Sequence, residues 1–397
     1  MIKNKEFTIT ISTLALIALW IAIVPVYSFG YQVALRMRFF CTIVCMLFIL
    51  SHFKFELIKR TWYIWLYAIV TLVSSIHNYG VWSISALMND FLHPFSVLSI
   101  FLVPLIVADR YDIDKVAKIF FRCGCVYFIP TLATVIMSGR VDAGWYEPYF
   151  VGNKFLLTYY FLTMFCCWGI IHFDEIQSNF RTRTKVIVLC VIGIAFSAYL
   201  YCTTGAVCYI TVLFLMLVWP VRKILEKPFG ITVSIILSGV LPLSMAAILS
   251  IPRINTLLLS INETATMNAR VRIYSILMNI INKKYWWGYG YNTLIVKEQL
   301  YSNAQNGLLH IMVQFGVIGV VALVFMCFMV TRNRNKKNSA IVEWCEFWLF
   351  ALIVAGIIEI TFGVFFYIFI FWRPFLQNST FQRFHRISTN KNRLFNE

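Results

Sequence analysis

Apolar residues run along this chain in long blocks that short polar stretches separate. A helix of about 17 to 25 apolar residues crosses the hydrocarbon layer of a bilayer. Blocks of that kind predict membrane-spanning helices near residues 7–27, 37–53, 61–77, 91–108, 116–137, 155–173, 185–201, 205–220, 229–250 and 307–330. A last block, residues 343–372, is too long for one ordinary helix and contains Glu359 and Gly363, so we divide it into two short spans.

The pattern predicts an all-α fold, a polytopic transmembrane helix bundle of about 12 spans that forms a single integral membrane domain over residues 1–397. Composition agrees with this class, because the 397 residues are 60% hydrophobic and only 13% charged. In a soluble domain about a quarter of the residues are charged. The first apolar block follows Lys3 and Lys5 and is longer than the core of a signal peptide, so we interpret it as an uncleaved span.

Lysine and arginine are distributed unevenly over the connections between the predicted spans. If the N-terminus is cytoplasmic, roughly two thirds of the 34 lie on the cytoplasmic side, which is where short positive loops stay. We therefore expect a multi-pass protein of the bacterial inner membrane with both termini in the cytoplasm. The net charge of +17 lies in short loops, so its expected partners are membrane lipids and no nucleic acid.

Metal and disulfide chemistry has little support in the sequence. The eleven cysteines lie within or beside apolar blocks, and none has C-x-x-C spacing, which argues against a zinc site and against a disulfide framework. The predicted outer connections contain no Asp-x-Asp pair, so a divalent cation would lack its usual oxygen ligands there. We expect a metal-independent protein without a cofactor.

Two connections on the predicted outer side are polar enough to carry chemistry. The shorter one, residues 138–154, contains Arg140 and Lys154. The longer one, residues 251–306, lies between spans 9 and 10 and contains Arg253. An active surface, if the protein has one, is therefore expected to face away from the cytoplasm.

Within the long loop, residues 269–282 predict an amphipathic helix, because apolar side chains recur at spacings of three and four. Its polar start carries Arg270 and Arg272. The planar fork of arginine pairs bidentately with phosphate oxygens, which suits a phosphate ligand. The same side chains could instead anchor the helix to anionic lipid headgroups, and both interpretations remain open.

An aromatic and glycine-rich run follows at residues 286–290. Gly288 and Gly290 indicate a tight turn that brings the backbone close to another segment. The rings of Trp287 and Tyr289 are typical of the bilayer interface, and aromatic faces also stack on sugar rings.

The end of the loop carries further candidates. Asn306 follows Gln305 directly ahead of the apolar run, where its side chain can cap the next helix. His310 lies one turn further on and is expected on the same face. Gly316 and Gly319 leave gaps in that helix for a closely packed neighbour.

Taken together, these residues resemble the O-antigen polymerase and ligase superfamily of bacterial inner-membrane glycosyltransferases. The pattern of that family is Arg-x-x-Ile-aromatic, Gly-x-Gly, and His-Asn or His-Ser followed after nine residues by Gly-x-x-Gly. The matching positions here are Arg270-Val271-Arg272-Ile273-Tyr274, Gly288-Tyr289-Gly290, Asn306 and Gly316-Val317-Ile318-Gly319. The resemblance covers roughly residues 265–330.

Two positions depart from the family pattern. Gln305 stands where ligases carry a histidine that is proposed as the base, and glutamine accepts no proton at neutral pH. Many members carry a Ser-Arg pair in the region of residues 201–205, where this chain has no arginine. The polymerase branch is the more variable one, so we prefer it over the ligase.

The resemblance implies that the protein polymerises undecaprenyl-diphosphate-linked oligosaccharide repeat units into O-antigen or capsular-type surface polysaccharide. It also suggests a chain-length regulator and a flippase as partners. Cations near the diphosphate leaving group lower the barrier electrostatically, and a polar group must orient or deprotonate the acceptor hydroxyl. The candidate catalytic residues are Arg270, Arg272, Asn306 and His310, with Asp142 and Glu147 as alternative bases. The candidate substrate-binding residues are Arg140, Lys154, Arg253, Trp287, Tyr289 and Gln305.

Three alternatives to a polymerase remain. An O-antigen ligase would transfer the glycan to lipid A-core. A flippase or transporter of lipid-linked oligosaccharides would also have about 12 spans, but the two halves of the chain show no evident repeat of broken helices. A non-catalytic assembly factor would not need paired arginines beside a glycine-rich aromatic turn.

Overall fold

The computed structural model describes residues 2–78, 84–109, 111, 113–139, 148–218, 227–245, 251–253, 256, 264–299, 303–332 and 339–375. The elements of this part of the chain are helices, as the sequence predicts. In chain order they are α1 (Ile2–Ile23), α2 (Tyr31–Ser51), α3 (Phe55–Asn78), α4 (Ile84–Ala108), α5 (Ile113–Ser138), α6 (Lys154–Ile171), α7 (Phe173–Ser178), α8 (Phe180–Tyr199), α9 (Thr203–Leu217), α10 (Pro228–Leu243), α11 (Thr264–Lys283), α12 (Ile295–Glu298), α13 (Gly307–Arg332), α14 (Ser339–Ala355) and α15 (Val364–Phe375).

Six helices in the described ranges are long and apolar enough to cross a membrane. They are Tyr31–Ser51, Phe91–Ala108, Lys115–Ser138, Lys154–Ile171, Phe180–Tyr199 and Gly307–Arg332. Shorter apolar helices cover Thr10–Ile23, Thr203–Leu217, Pro228–Leu243 and Trp344–Ala355. These helices indicate a membrane protein, and the count of twelve spans stays a prediction.

Helix α13 connects several parts of the bundle, because it packs against α3, α10, α11 and α15. Lipid tails are as apolar as leucine, so such helices associate through close packing and a few hydrogen bonds. One of these bonds joins the hydroxyl oxygens of Tyr67 on α3 and Tyr367 on α15 at 2.7 Å. Another runs from Nε1 of Trp344 to the Cys166 carbonyl at 3.0 Å.

Three features of the predicted helices can be compared directly with the structure. The last apolar block does turn, because α14 ends at Ala355 and α15 begins at Val364. The predicted helix at 269–282 is present and extends over Thr264–Lys283. The predicted span at 307–330 is less regular than expected, since its backbone leaves helical geometry at Gly316.

Candidate functional site

The break in α13 is filled by the backbone of residues 285–291, which we call the inserted segment. In an unbroken helix the amides of residues 317 and 318 would donate to the carbonyls of residues 313 and 314. Here Val317 and Ile318 donate instead to Tyr285 and Trp286 at 2.9 and 3.3 Å. The carbonyls of residues 313 and 314 accept from the amides of residues 289 and 290, each at 2.8 Å. These two amides and two carbonyls therefore keep hydrogen-bond partners across the break.

Glycine is required on both sides of this contact. Gly316 has φ 64° and ψ −169°, a combination that is essentially restricted to glycine. A Cβ atom there would lie 2.2 Å from the Trp286 carbonyl oxygen, and one at Gly288 would lie 2.6 Å from the Gln314 carbonyl. The predicted close approach at Gly288 is thus present, and its neighbour is the broken helix. Gly319 instead faces Phe315 of its own helix.

Helix α3 holds the inserted segment from the other side. The Ser74 hydroxyl donates to the Trp287 carbonyl, and the Tyr291 amide donates to the Ser75 hydroxyl at 3.2 Å. Tyr291 then stacks on Phe315 with an interplanar angle of 4°. The inserted segment therefore fixes the position of an aromatic ring that lines the cavity described next.

A cavity of about 1160 Å³ lies among four connections between helices. These connections follow α1, α5, α12 and α14, and they contribute Tyr27, Val151, Asn303 and Thr361 to the wall. The charge pattern of the sequence places all four on the predicted outer side. A cavity of this size accommodates a ligand of several sugar rings or a lipid headgroup.

A cluster of three nitrogen-bearing side chains, Arg38, His93 and His310, lines this cavity. Atoms Nε of Arg38, Nε2 of His93 and Nδ1 of His310 are buried and have no hydrogen-bond partner among the described residues. Arg38 and His310 both lie close enough to His93 to act on it electrostatically. Buried polar atoms are normally paired, so this cluster is suited to a ligand that brings hydrogen-bond acceptors.

Asn306 is fully buried and forms a clamp between three elements. Its Nδ2 atom donates to the carbonyls of Ser238 and Gly356, each at 2.8 Å, and of Ile357 at 3.1 Å. Its Oδ1 atom accepts from the Leu309 amide at 2.8 Å, which is the predicted helix cap. Because its N–H groups are used by protein carbonyls and the residue is 0% exposed, Asn306 supports the site and is not available to orient a substrate.

Replacing Asn306 with alanine should destabilise the protein strongly. The change removes the side-chain partners of the Ser238 carbonyl and of the Leu309 amide, and each buried group left unpaired costs about 1–3 kcal/mol. Thermal melting of the detergent-solubilised protein should shift down by several degrees. Gln305→Ala is the control, because Gln305 engages the Tyr274 hydroxyl through its backbone carbonyl. Equal melting curves for Asn306→Ala and wild type would contradict the clamp.

Glu359 lies in the turn of residues 356–363 and is only 7% exposed. Its Oε1 atom accepts from the Ile360 amide at 2.9 Å. Burial raises the pKa of this carboxyl group, and the Ile360 amide, Arg270, Asn303 and Lys154 oppose that rise in decreasing order. A buried carboxylate therefore lies beside cations from α11 and α6.

Arg270 and Arg272 occupy different surroundings, since positions two apart on a helix point in nearly opposite directions. Arg270 is near Tyr274 and Glu359; burial raises the pKa of Tyr274 to about 12, and Arg270 opposes this rise. Arg272 is exposed. Of the two arginines, Arg270 is therefore the one that lies near Glu359.

The remaining predicted residues lie around the site with different environments. Nζ of Lys154 donates to the Tyr201 carbonyl at 3.0 Å. The Tyr289 hydroxyl donates to the Ile280 carbonyl at 3.1 Å, which makes its ring part of a packed cluster. The ring centroid of Trp287 lies 6.2 Å from that of His77. Arg253 is exposed, and Arg140, Asp142 and Glu147 lie outside the described residues.

Sequence reasoning missed Arg38, His93 and Tyr159 as residues of this site. Arg38 lies seven residues into α2, about 10 Å along the helix, and an ionisable side chain at such depth is a functional candidate. The sequence carries that signal, but Arg38 stands beside the predicted start of the span at residue 37, where a charged residue needs no functional explanation. The placement of His93 and Tyr159 follows from the packing of α4 and α6, which periodicity does not reveal.

Comparisons with known protein families, with curated proteins and with solved structures find no match for this chain.

Proposed function

We propose that the protein polymerises undecaprenyl-diphosphate-linked oligosaccharide repeat units on the outer face of the bacterial inner membrane. The observation that carries the proposal is the Arg38, His93 and His310 cluster, which lines a large cavity and contains buried nitrogen atoms without a hydrogen-bond partner among the described residues. A diphosphate brings many acceptor oxygens, and the repeat unit attached to it needs a cavity of this size. The resemblance described above supports the same substrate class.

In the proposed reaction the cluster binds the diphosphate of the donor carrier. Negative charge grows on the leaving diphosphate as the glycosidic bond breaks, and fixed donors stabilise that charge without reorganisation. Arg38 offers a planar fork to the phosphate oxygens. The acceptor sugar would then approach from the side of the Glu359 turn, where Asn303 and Tyr159 line the same cavity.

A transporter is the second candidate, because discontinuous helices such as α13 are common at transporter binding sites. In those proteins the groups freed by the break face the substrate or an ion. In α13 they are paired with the backbone of the inserted segment. The break therefore favours a structural role over a transport site, and we rank transport below polymerisation.

The gel profile of surface polysaccharide from cells with and without the gene tests the proposal. A polymerase is supported if the long ladder disappears and single repeat units remain attached to the lipid core. If no unit is attached and carrier-linked polymer accumulates, the protein is a ligase. Repeat units trapped on the cytoplasmic leaflet would mean a flippase.

A further inference from the structure

We propose that Glu359 is the general base that takes the proton from the acceptor hydroxyl, an inference that rests on the function proposed above. Glu359 lies in the turn of residues 356–363. It lies outside residues 265–330, which carry the resemblance and in which Gln305 occupies the position of the family's histidine. A base must lie beside the cavity, be held in place and be able to accept a proton.

The turn that carries Glu359 is held rigidly. Asn306 donates to its first two carbonyls, and the Tyr274 hydroxyl donates to it at 3.4 Å. The Thr361 hydroxyl donates back to the Leu352 carbonyl of α14 at 2.8 Å. Three elements thus fix the backbone around the carboxylate, and such support is what a preorganised catalytic group needs.

The carboxylate lies next to the cavity. It accepts from the Ile360 amide and interacts with the Asn303 side chain, and both of these residues line the cavity wall. Tyr159 lines the same wall, and its buried hydroxyl has no hydrogen-bond partner in the described part of the chain. An unpaired hydroxyl beside a carboxylate indicates a place for a polar ligand group, such as a sugar hydroxyl.

The charges around Glu359 suit a base that works near neutral pH. Burial raises its pKa from the ordinary carboxyl value, and the Ile360 amide and the nearby cations oppose that rise. A carboxylate whose pKa moves toward neutrality is a stronger proton acceptor. The titratable groups that interact with it are Arg270 and Tyr274 on α11, Lys154 and Tyr159 on α6, and Cys202 ahead of α9.

The acceptor oxygen forms a bond to the anomeric carbon of the donor sugar, and its proton moves to the carboxylate of Glu359. The bond between that carbon and the diphosphate oxygen breaks, and its electron pair leaves with the diphosphate. The protonated Glu359 then releases its proton to water in the cavity. The reaction needs no oxidant, reductant or further reactant.

The test uses full-length protein in detergent or vesicles, with lipid-linked repeat units isolated from the strain that lacks the gene. Glu359→Gln keeps the shape and the amide contact but accepts no proton, so polymerisation should fall at least about 100-fold. Glu346→Gln is the matched control, because it alters another buried carboxylate, 3% exposed, on α14. It should retain activity, and melting curves should show both variants folded.

The pH dependence separates a base from a merely structural carboxylate. Wild-type activity should decline at low pH as Glu359 becomes protonated. Arg270 lowers the pKa of Glu359, so Arg270→Ala should move this acidic limb to higher pH, whereas exposed Arg272→Ala should leave it in place. If the Glu359→Gln variant is active and its pH profile is unchanged, Glu359 is not the base, and the proposed function is unaffected. If wild-type protein makes no polymer from these units, the proposed function itself fails.

Discussion

Polymer synthesis should fall about 100-fold to 1000-fold when Arg38 is replaced by alanine, because removing one preorganised donor at a developing charge has an effect of that size. Arg38 lines the cavity, and its Nε atom has no protein partner among the described residues. Arg38→Lys should recover only part of the activity, since a point charge cannot bind phosphate through two parallel bonds. The rate of chain extension with isolated lipid-linked units measures both variants.

Arg36 provides the matched control for this experiment. It lies two residues earlier on α2 and is exposed, so Arg36→Ala removes an equal charge from the same helix and leaves the cavity unchanged. Its activity should stay within about twofold of wild type, because an exposed charge contributes little in high dielectric and at ordinary salt. Equal losses for the two alanine variants would indicate a general surface-charge effect and would contradict the assignment of Arg38.

The sequence predicts those features of this site that depend on nearby residues, such as a helix or its cap, and not those that depend on contacts between distant elements. Long apolar runs predict helices because a helix satisfies its own backbone groups in lipid, and the described elements are helical. The cap at Asn306 follows from local chemistry, and the structure confirms the bond to the Leu309 amide. The other three bonds of Asn306 reach elements that are far away in sequence, so its role as a clamp could not be predicted.

At Gly288 and Gly316 the close contact is predictable from the sequence, but the segment that makes the contact is not. Gly288 was expected to bring the backbone close to another segment, and it does so at α13. Gly316 was expected to leave a gap for a closely packed neighbour; that neighbour is the inserted segment, which enters where the helix breaks. Hydropathy averages over many residues, so a single positive φ angle inside an apolar run is invisible to it. Averaging likewise gives little weight to Arg38, a single charge seven residues into α2.

Gly316→Ala should prevent correct folding of the site. The methyl group would lie 2.2 Å from the Trp286 carbonyl oxygen, and the backbone conformation alone costs an L-residue about 1–3 kcal/mol. The helix can relieve this strain by closing its own hydrogen bonds, which expels the inserted segment and displaces Tyr291 from the cavity wall. We expect a lower yield of monodisperse protein, a lower melting temperature and loss of polymer synthesis.

Gly363→Ala is the control that isolates this effect. A Cβ atom at Gly363 has nothing within 4 Å, so the added methyl group meets open space although it lies at the same cavity. Its yield and melting temperature should match wild type, while those of Gly316→Ala fall. A Gly316→Ala protein that melts like wild type would mean that the break is not required. In that case the inserted segment could not be what positions Tyr291 against His93, whose ring centroids lie 4.8 Å apart.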